Sequence, residues 1–407
     1  MTSLLSKRAS RPYFKLQKIS AALFFAIPAS LWAADTNSDT ELQNKVDLLQ
    51  KEMQQLTSGM ANSKDVNEGL PMHGFIDVRA KTESDDSSAR GFELGNLDFY
   101  LTPQFTHNVK ALVELNFEVG NSGGVSPDLE RLQLGYQPVN WLTLWMGRFH
   151  TPYGYWHDAF HHGAQIQTSI YRPKFLDFED AGGILPAHSN GLWGHGSTKA
   201  MGGTVTYDLY TANSPRLAMD DPTSSTSIAT LDPNLLGTQN KNYTAGTNLS
   251  YKFNGALNGF ILGIDALTGN VSNDSIVTPT KTQLSMTGLW TAYLENDFEI
   301  LAEYYHFNNK DLSGNGDTYA SKAGYIQIGY SFDVIEPYVR YEKTTLDQAD
   351  NYFAEQESGA SYKRAAAGFK YDIDPKASFK LEADSTKQTD REIGTSHRVT
   401  VQYAVRF

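Results

Sequence analysis

The chain has 407 residues, no cysteine, and 46 acidic against 34 basic residues, a net charge of −12 at pH 7. The lack of cysteine excludes disulfide frameworks and cysteine metal sites. The acidic balance is opposite to that of nucleic-acid-binding domains, so no nucleic-acid partner is expected. No P-loop or complete dinucleotide fingerprint occurs, so we expect no cofactor.

Residues 1–33 have the composition of a secretory signal peptide. A 14-residue apolar run, 19–32, precedes the small residues Ala33 and Ala34, which supply a cleavage site. The alternative is a membrane anchor, but a ~30 Å bilayer core needs about 20 apolar residues. Cleavage leaves 29 basic against 46 acidic residues, a net charge of about −17. Five cations and no acidic residue precede the apolar run: Lys7, Arg8, Arg11, Lys15 and Lys18.

Residues 34–61 contain an apolar repeat with alternating spacings of four and three, which predicts a short coiled-coil helix. The repeat covers fewer than three heptads, so the helix is marginal by itself. It is either a periplasmic oligomerisation stalk, which the unbroken spacing favours, or a helix lying on the mouth of the following domain. Residues 62–71 form a polar linker. The seam of the helix consists of Leu42, Val46, Leu49, Met53, Leu56 and Met60.

Residues 72–407 alternate apolar and polar side chains in segments of about ten, the length of a tilted membrane strand. In one segment Val113 and Leu115 share a face, while Lys110, Glu114 and Glu118 occupy the other. Charges on alternate residues indicate a wet interior, because a soluble sandwich would place its apolar face inward. The fold class is therefore all-β, an antiparallel transmembrane β-barrel.

Fifteen such strands are recognisable, and short turns alternate with long polar loops between them. In outer-membrane barrels short turns face the periplasm and long loops face outward. That alternation fails between residues 150 and 200 unless one more strand runs inward, near 190–197. Adding it gives sixteen strands, with both ends of the barrel sequence in the periplasm.

The end of the chain resembles the C-terminal signature of outer-membrane proteins, which the barrel-assembly machinery binds. Tyr403, Val405 and Phe407 alternate with Gln402 and Arg406, so one face suits lipid and the other suits the lumen.

The long segment 150–189 resembles the third loop of porins, which folds into the barrel and narrows the channel. It offers both signs of charge for selectivity: Arg172, Lys174, Asp177, Glu179 and Asp180. Alternation adds further pore-lining candidates on the wall: Arg79, Lys110, Glu114 and Arg131. Arg148 is ambiguous, because its strand is apolar on both faces.

Six of the ten histidines lie between residues 150 and 195. His157, His161 and His162 form a candidate metal site, although no tight ligand motif is present. The simpler interpretation is that these rings line a loop in a wide vestibule.

The layout of signal, stalk and barrel resembles coiled-coil-headed porins and the phosphate-selective porin O/P group. The resemblance implies a homotrimer in outer-membrane lipid, with no enzymatic activity, through which small polar or charged solutes diffuse. The phosphate-selective group implies a basic channel, which a net charge of −17 does not support. The alternatives are an uptake channel or receptor for a metal chelate, siderophore or anion, and an outer-membrane hydrolase.

Overall fold

The computed structural model describes residues 72–407 except 85–89, 120–123, 161–162, 180, 235–241 and 391–393. The predicted signal peptide, coiled-coil seam and linker lie outside the described residues. No helix among the described residues has the length and apolar composition needed to cross a membrane.

The described residues contain two short α-helices, α1 (Trp156–Phe160) and α2 (Asn351–Ala354), and 3-10 helices at Lys174–Leu176 and Gly255–Leu257. They also form eighteen strands: β1 (Met72–Glu83), β2 (Gly91–Leu101), β3 (Val109–Val119), β4 (Val125–Val139), β5 (Leu142–His150), β6 (His188–Ala200), β7 (Gly203–Asn213), β8 (Arg216–Met219), β9 (Ala229–Asp232), β10 (Tyr243–Lys252), β11 (Phe260–Asn273), β12 (Lys281–Glu295), β13 (Phe298–Asp311), β14 (Thr318–Tyr330), β15 (Ile335–Thr345), β16 (Tyr362–Asp374), β17 (Ala377–Gln388) and β18 (Thr395–Arg406).

Sixteen of these strands form a closed antiparallel barrel. Each pairs with its neighbours along the chain, β7 pairs with β10, and β18 returns to β1 with Phe75 opposite Arg406. The prediction of sixteen strands is confirmed, and the strand deduced between residues 150 and 200 is β6. The hairpin of β8 and β9 was missed, because four-residue strands inside a polar loop leave no alternation to detect.

The alternation of side chains separates the two faces of the wall. In β13, Glu299, Glu303 and Tyr305 are buried inside the barrel, while Phe298 and Tyr304 on the opposite face are exposed. Exposed apolar side chains continue around the outer face, which fits contact with lipid better than contact with water.

The turns at one end are short, and two of them require left-handed backbone. Asn296 (φ 54°) and Asp297 (φ 65°) join β12 to β13, and Met201 (φ 52°) and Gly202 (φ 78°) join β6 to β7. Two consecutive residues with positive φ form the hairpin turn whose twist matches the strands. We call this the turn side of the barrel and the opposite end the loop side.

Apolar residues of three loops pack inside the loop side of the barrel. The Tyr352 hydroxyl donates to the Ile184 carbonyl at 2.7 Å, and the rings of Phe353 and Phe307 meet edge to face at 5.2 Å. The β8–β9 hairpin joins this packing, because the Ala229 amide donates to the Glu355 carbonyl at 2.8 Å. The core therefore lies within the barrel.

Candidate functional site

The candidate site is built around the segment that joins β5 to β6. His150 ends β5 and pairs in register with His188, the first residue of β6. Residues 151–187, here called the inner loop, leave the wall at this pair, and most of their side chains are buried. The following contacts show where the inner loop lies.

The first contact fixes the start of α1 against β11 and β13. Oε1 of Glu303 accepts hydrogen bonds from the amides of Tyr155 (3.1 Å) and Trp156 (2.6 Å). Oδ2 of Asp265 accepts from the Gly154 amide at 3.0 Å. Gly154 has a φ of +64°, and a β-carbon there would lie 2.1 Å from Oε2 of Glu303. Only glycine fits this close approach of the loop to the wall.

The second contact fixes the middle of the inner loop against β13 and β17. Oε2 of Glu382 accepts from the amides of Ile170 (2.8 Å) and Tyr171 (3.2 Å). The Thr168 hydroxyl donates to Oε2 of Glu299 at 2.8 Å. Backbone amides are thus satisfied by buried carboxylates, a strong type of hydrogen bond.

The third contact fixes the 3-10 helix of the inner loop against β15 and β16. Oε2 of Glu342 accepts from the Lys174 amide at 2.8 Å and from the Tyr362 hydroxyl at 3.0 Å. That hydroxyl in turn accepts from the Phe175 amide at 3.0 Å. The inner loop therefore lies inside the barrel against the wall from β11 to β17.

At the neck of the inner loop, His188 lies between two carboxylates. Its Nε2 is 2.6 Å from Oε2 of Glu130, and its Nδ1 is 3.1 Å from Oε2 of Glu179. Burial alone would raise the pKa of Glu179, but the adjacent imidazole holds that pKa below its usual value. The neighbouring His150 lies 3.3 Å from Glu114 on β3. These contacts join both ends of the inner loop to β3 and β4.

The metal-site candidate His157 has both ring nitrogens in hydrogen bonds. Nε2 is 2.7 Å from the Ala187 carbonyl, and Nδ1 is 3.1 Å from the Arg172 guanidinium. His161 and His162 lie outside the described residues. Within the described part of the chain, no three His, Asp or Glu residues are grouped as metal ligands.

The remaining charged candidates of the inner loop do not converge on one point. The Arg172 guanidinium is buried 4.1 Å from the Phe178 ring centroid, and Lys174 Nζ lies 5.5 Å from the Tyr362 centroid. Oδ1 of Asp177 accepts from the next amide in the chain at 3.1 Å. Asp180 lies outside the described residues.

The wall candidates Arg79 and Arg131 each pair with a carboxylate of the inner face. Arg79 Nε is 2.6 Å from Asp77, and Arg131 pairs with Glu114. Arg398, which was not among the predicted candidates, pairs with Asp384 at 2.8 Å. The cation is the more exposed partner: side-chain exposures are 22% against 0%, 17% against 0%, and 20% against 6%, respectively. The pairs Lys81–Glu93 and Lys370–Asp372 show the reverse order.

Tyr171 of the inner loop brings three arginines together. Its ring centroid lies 3.6 Å from Cζ of Arg398, 5.8 Å from that of Arg79 and 5.9 Å from that of Arg364. Guanidinium groups stack favourably on aromatic faces. We call these four residues the arginine cluster. Alternation predicted that Arg79 lines the pore, but no local signal linked the arginines to Tyr171.

Two other predicted residues lie away from the arginine cluster. Lys110 lines a cavity on the turn side, with Nζ 5.1 Å from the Trp145 ring centroid. Arg148 donates from Nε to the Glu130 carbonyl at 2.9 Å and also contacts Asn234. Arg148 therefore links β5 to the loop that carries β8 and β9.

The hydrolase alternative requires a nucleophile beside a histidine and an acid. His195 Nδ1 lies 2.6 Å from Oδ1 of Asp208, and Ser197 follows on the same face of β6. Within the described residues, the Ser197 hydroxyl makes no hydrogen bond. Ser197 is therefore not hydrogen-bonded to the His–Asp pair.

No protein-family model matches the chain, and no curated protein matches it in sequence. Its structure is similar to the anion-selective porin from Comamonas acidovorans, with a TM-score of 0.55 and 14% identity over 83% of this chain and 99% of the porin. It is also similar to the outer-membrane channel DcaP of Acinetobacter baumannii, with a TM-score of 0.55 and 13% identity over 83% and 97% of the two chains.

A third similar structure is the trimer form of OmpT, an outer-membrane protein of Vibrio cholerae. The TM-score is 0.53, with 12% identity over 83% of this chain and 99% of OmpT. Identities this low establish the fold alone. The chain folds as a sixteen-stranded barrel of the outer-membrane porin type.

Proposed function

We propose that this protein is an outer-membrane diffusion channel that prefers small anions and is narrowed by the inner loop. The observation that carries the proposal is the arginine cluster, where three guanidinium groups surround Tyr171 between the inner loop and β16, β18 and β1. Fixed charges lining a narrow pore select ions of the opposite sign.

The distribution of carboxylates supports the same preference. On the inner face, Asp265, Glu303 and Glu382 accept amide protons of the inner loop, so their charge is used within the protein. In contrast, Arg79, Arg131 and Arg398 remain partly exposed beside buried acids. The similarity to a barrel described as an anion-selective porin fits this proposal.

The remaining features of the proposal concern export and assembly. The composition of residues 1–33 supports cleavage on export, and the heptads of 34–61 support a periplasmic stalk. The aromatic C-terminus supports recognition by the barrel-assembly machinery. Similarity to a barrel described in a trimer form supports a homotrimer. Cross-linking of the full chain in outer membranes tests this assembly, and a monomer-only pattern would contradict it.

The first experiment is single-channel recording of the purified protein in a planar bilayer under a potassium chloride gradient. We expect steady conductance and a reversal potential whose sign reports chloride preference. Conductance with cation preference would refute the anion proposal, and a barrel without conductance would refute the channel itself.

A matched pair of variants assigns the preference to the arginine cluster. Arg398→Gln removes the guanidinium closest to Tyr171, whereas Lys363→Gln removes a cation exposed on the outer face of β16. We expect Arg398→Gln to lower the ratio of chloride to potassium permeability about twofold or more, since a fixed charge in the pore acts at short range. Lys363→Gln should leave the ratio unchanged. If the two variants have the same ratio of chloride to potassium permeability, the arginine cluster does not determine the ion preference.

A further inference from the structure

We propose that a cavity on the turn side of the barrel binds an acidic saccharide, a sugar ring that carries a carboxylate. The inference rests on the proposed function, because the solute reaches this cavity through the channel. It names a solute class and a binding site that the arginine cluster alone does not define.

The cavity lies between the inner loop and the wall. Its volume is about 550 Å³, within the range of small-molecule sites. Tyr155, Asp158 and Phe160 of the inner loop cover one side. Inner-face residues from β3 to β7, β10 and β12 form the other. A solute inside is therefore enclosed on several sides.

Aromatic rings form a row along the cavity wall. Trp145 of β5 and Trp193 of β6 face each other in register, with ring centroids 6.2 Å apart and planes 20° from parallel. A β-carbon on Gly135 would lie 2.6 Å from the Trp145 ring, so this ring covers the backbone of β4. Trp290 likewise covers Gly263. Rings that lie along the wall in this way offer a platform on which a sugar ring stacks.

Polar groups without protein partners lie beside these rings. Nε1 of Trp145, Oε1 of Gln133 and Oγ of Ser197 are buried and make no hydrogen bond within the described part of the chain. All three residues line the cavity. Unpaired buried polar groups cost free energy, and a ligand with matching hydroxyl groups removes that cost.

One side of the row is fixed by hydrogen bonds. Oδ1 of Asp208 accepts from Nε1 of Trp193 at 2.9 Å and lies 2.6 Å from Nδ1 of His195. Nε1 of Trp290 donates to Asn248 at 3.1 Å. The orientations of these tryptophans are set before a ligand arrives, which lowers the entropy cost of binding.

Lys110 supplies the charge for a carboxylate. Its Nζ lies 5.1 Å from the Trp145 ring centroid, and within the described residues no carboxylate forms an ion pair with it. An acidic group on a ring stacked along the row is therefore within reach of an uncompensated cation. A flat hydrocarbon acid would satisfy Lys110 but leave the Gln133 and Ser197 acceptors unpaired.

The test measures D-galacturonate binding to the full chain by tryptophan fluorescence in detergent and by block of bilayer current. We expect saturable binding, at least tenfold weaker binding of D-galactose and benzoate, and none of acetate. Equal affinity for galactose, benzoate or acetate would overturn the assignment to an acidic saccharide. A protein that conducts normally but does not bind galacturonate would overturn this binding site and leave the proposed channel intact. A protein that binds galacturonate but does not conduct would refute the proposed channel instead.

Variants locate the binding. Lys110→Met should weaken galacturonate binding at least tenfold and leave galactose binding unchanged. Lys110→Arg keeps the positive charge and should retain most of the wild-type affinity for galacturonate. The matched control Lys343→Met removes a cation on the outer face of β15 and should change neither. Trp193→Leu should weaken the binding of both galacturonate and galactose. Unchanged affinity in Lys110→Met, with the heat-modifiable mobility of a folded barrel, would overturn the inference.

Discussion

At Lys380, a buried ammonium group is surrounded by backbone oxygens of the inner loop. Its Nζ donates to the carbonyls of Ala164, Gln167 (2.6 Å) and Ser169 (3.1 Å). An ammonium group has three protons, so these bonds use all of them. One side chain of β17 thus holds a turn of the inner loop by three points.

Replacing Lys380 by methionine keeps much of the volume and removes these three bonds. A buried carbonyl left without a partner costs about 1–3 kcal/mol, so we expect a lower urea midpoint and a noisier open-channel current. Lys363→Met, on the outer face of β16, is the control. A wild-type midpoint and quiet current in Lys380→Met would show that the other anchors suffice.

Met201 occupies a position that disfavours its own side chain. It has a φ of 52° and is exposed in the turn between β6 and β7. Residues with a β-carbon resist left-handed backbone, at a cost of about 1–2 kcal/mol, and asparagine resists it least. The side chain of Met201 therefore strains the turn, while its carbonyl accepts a hydrogen bond from the Tyr251 hydroxyl at 3.0 Å.

Met201→Asn should raise barrel stability by roughly 1 kcal/mol, since asparagine is tolerated in left-handed turns. Urea unfolding in lipid vesicles measures the change. Met201→Ala shortens the side chain but lacks the polar group that lets asparagine tolerate left-handed backbone, so it should give no comparable gain. A neutral or destabilising Met201→Asn would mean that the methionine makes a favourable contact, for example with lipid.

Among the elements, the loop with α2 contains a titrating group. Asp350 caps α2, accepts from the Tyr352 amide at 3.0 Å and from Asn309 at 2.8 Å, and is fully buried. Burial raises the pKa of Asp350 to about 6, and these hydrogen bonds oppose part of the rise. Packing of this loop therefore stabilises protonated Asp350 relative to the unfolded chain.

Because the pKa of Asp350 is raised on folding, its stabilising effect is complete below the unfolded pKa near 4 and is lost as the pH rises through about 6. We expect the backbone amides of residues 346–361 to exchange hydrogen more slowly at pH 5 than at pH 7.5, after correction for the pH dependence of the intrinsic exchange rate. Asp350→Asn should reduce the difference, while Asp317→Asn, in an exposed loop, should preserve it. Faster exchange at pH 5 in the native chain would contradict the sign.

The sequence was informative about elements and less so about their partners. Alternation identified the wall strands, and the order of turns and loops placed β6, because both signals are local or depend on simple counting. The anchoring role of Glu382 was not predictable, because its partner Ile170 lies 212 residues away. The same holds for Arg398 and Tyr171, whose contact depends on how the inner loop folds across the lumen.

For the whole molecule, net charge does not by itself give the charge that faces the lumen. A net charge of −17 argued against a basic pore, yet carboxylates such as Glu303 and Glu342 accept loop amides. The sign of the lumen depends on which charges remain exposed after these internal bonds form.

Phe407, which follows β18, contacts the start of the barrel sequence. The amide and carbonyl of Phe407 both bond to Gly74, at 3.0 and 3.2 Å, and its ring lies 5.8 Å from that of Phe99. These contacts join the two ends of the barrel sequence at the turn side.

Deletion of Phe407 should lower barrel stability by about 2–4 kcal/mol, the sum expected for two hydrogen bonds and one aromatic pair. Vesicle unfolding in urea, starting from refolded protein, separates this effect from any defect in assembly. Phe92→Ala removes a nearly fully exposed ring and should have little effect. A stable barrel without Phe407 would show that β1 and β18 close without it.

The wall carboxylates that hold the inner loop have a consequence for the order of folding. Asp265, Glu299, Glu303, Glu342 and Glu382 all follow residues 151–187 in the chain. Contacts between distant residues form late, because the chain entropy of closing a long loop must be overcome first. The inner loop therefore docks only after β11 to β17 are in place, so the wall forms before the segment that lies inside it.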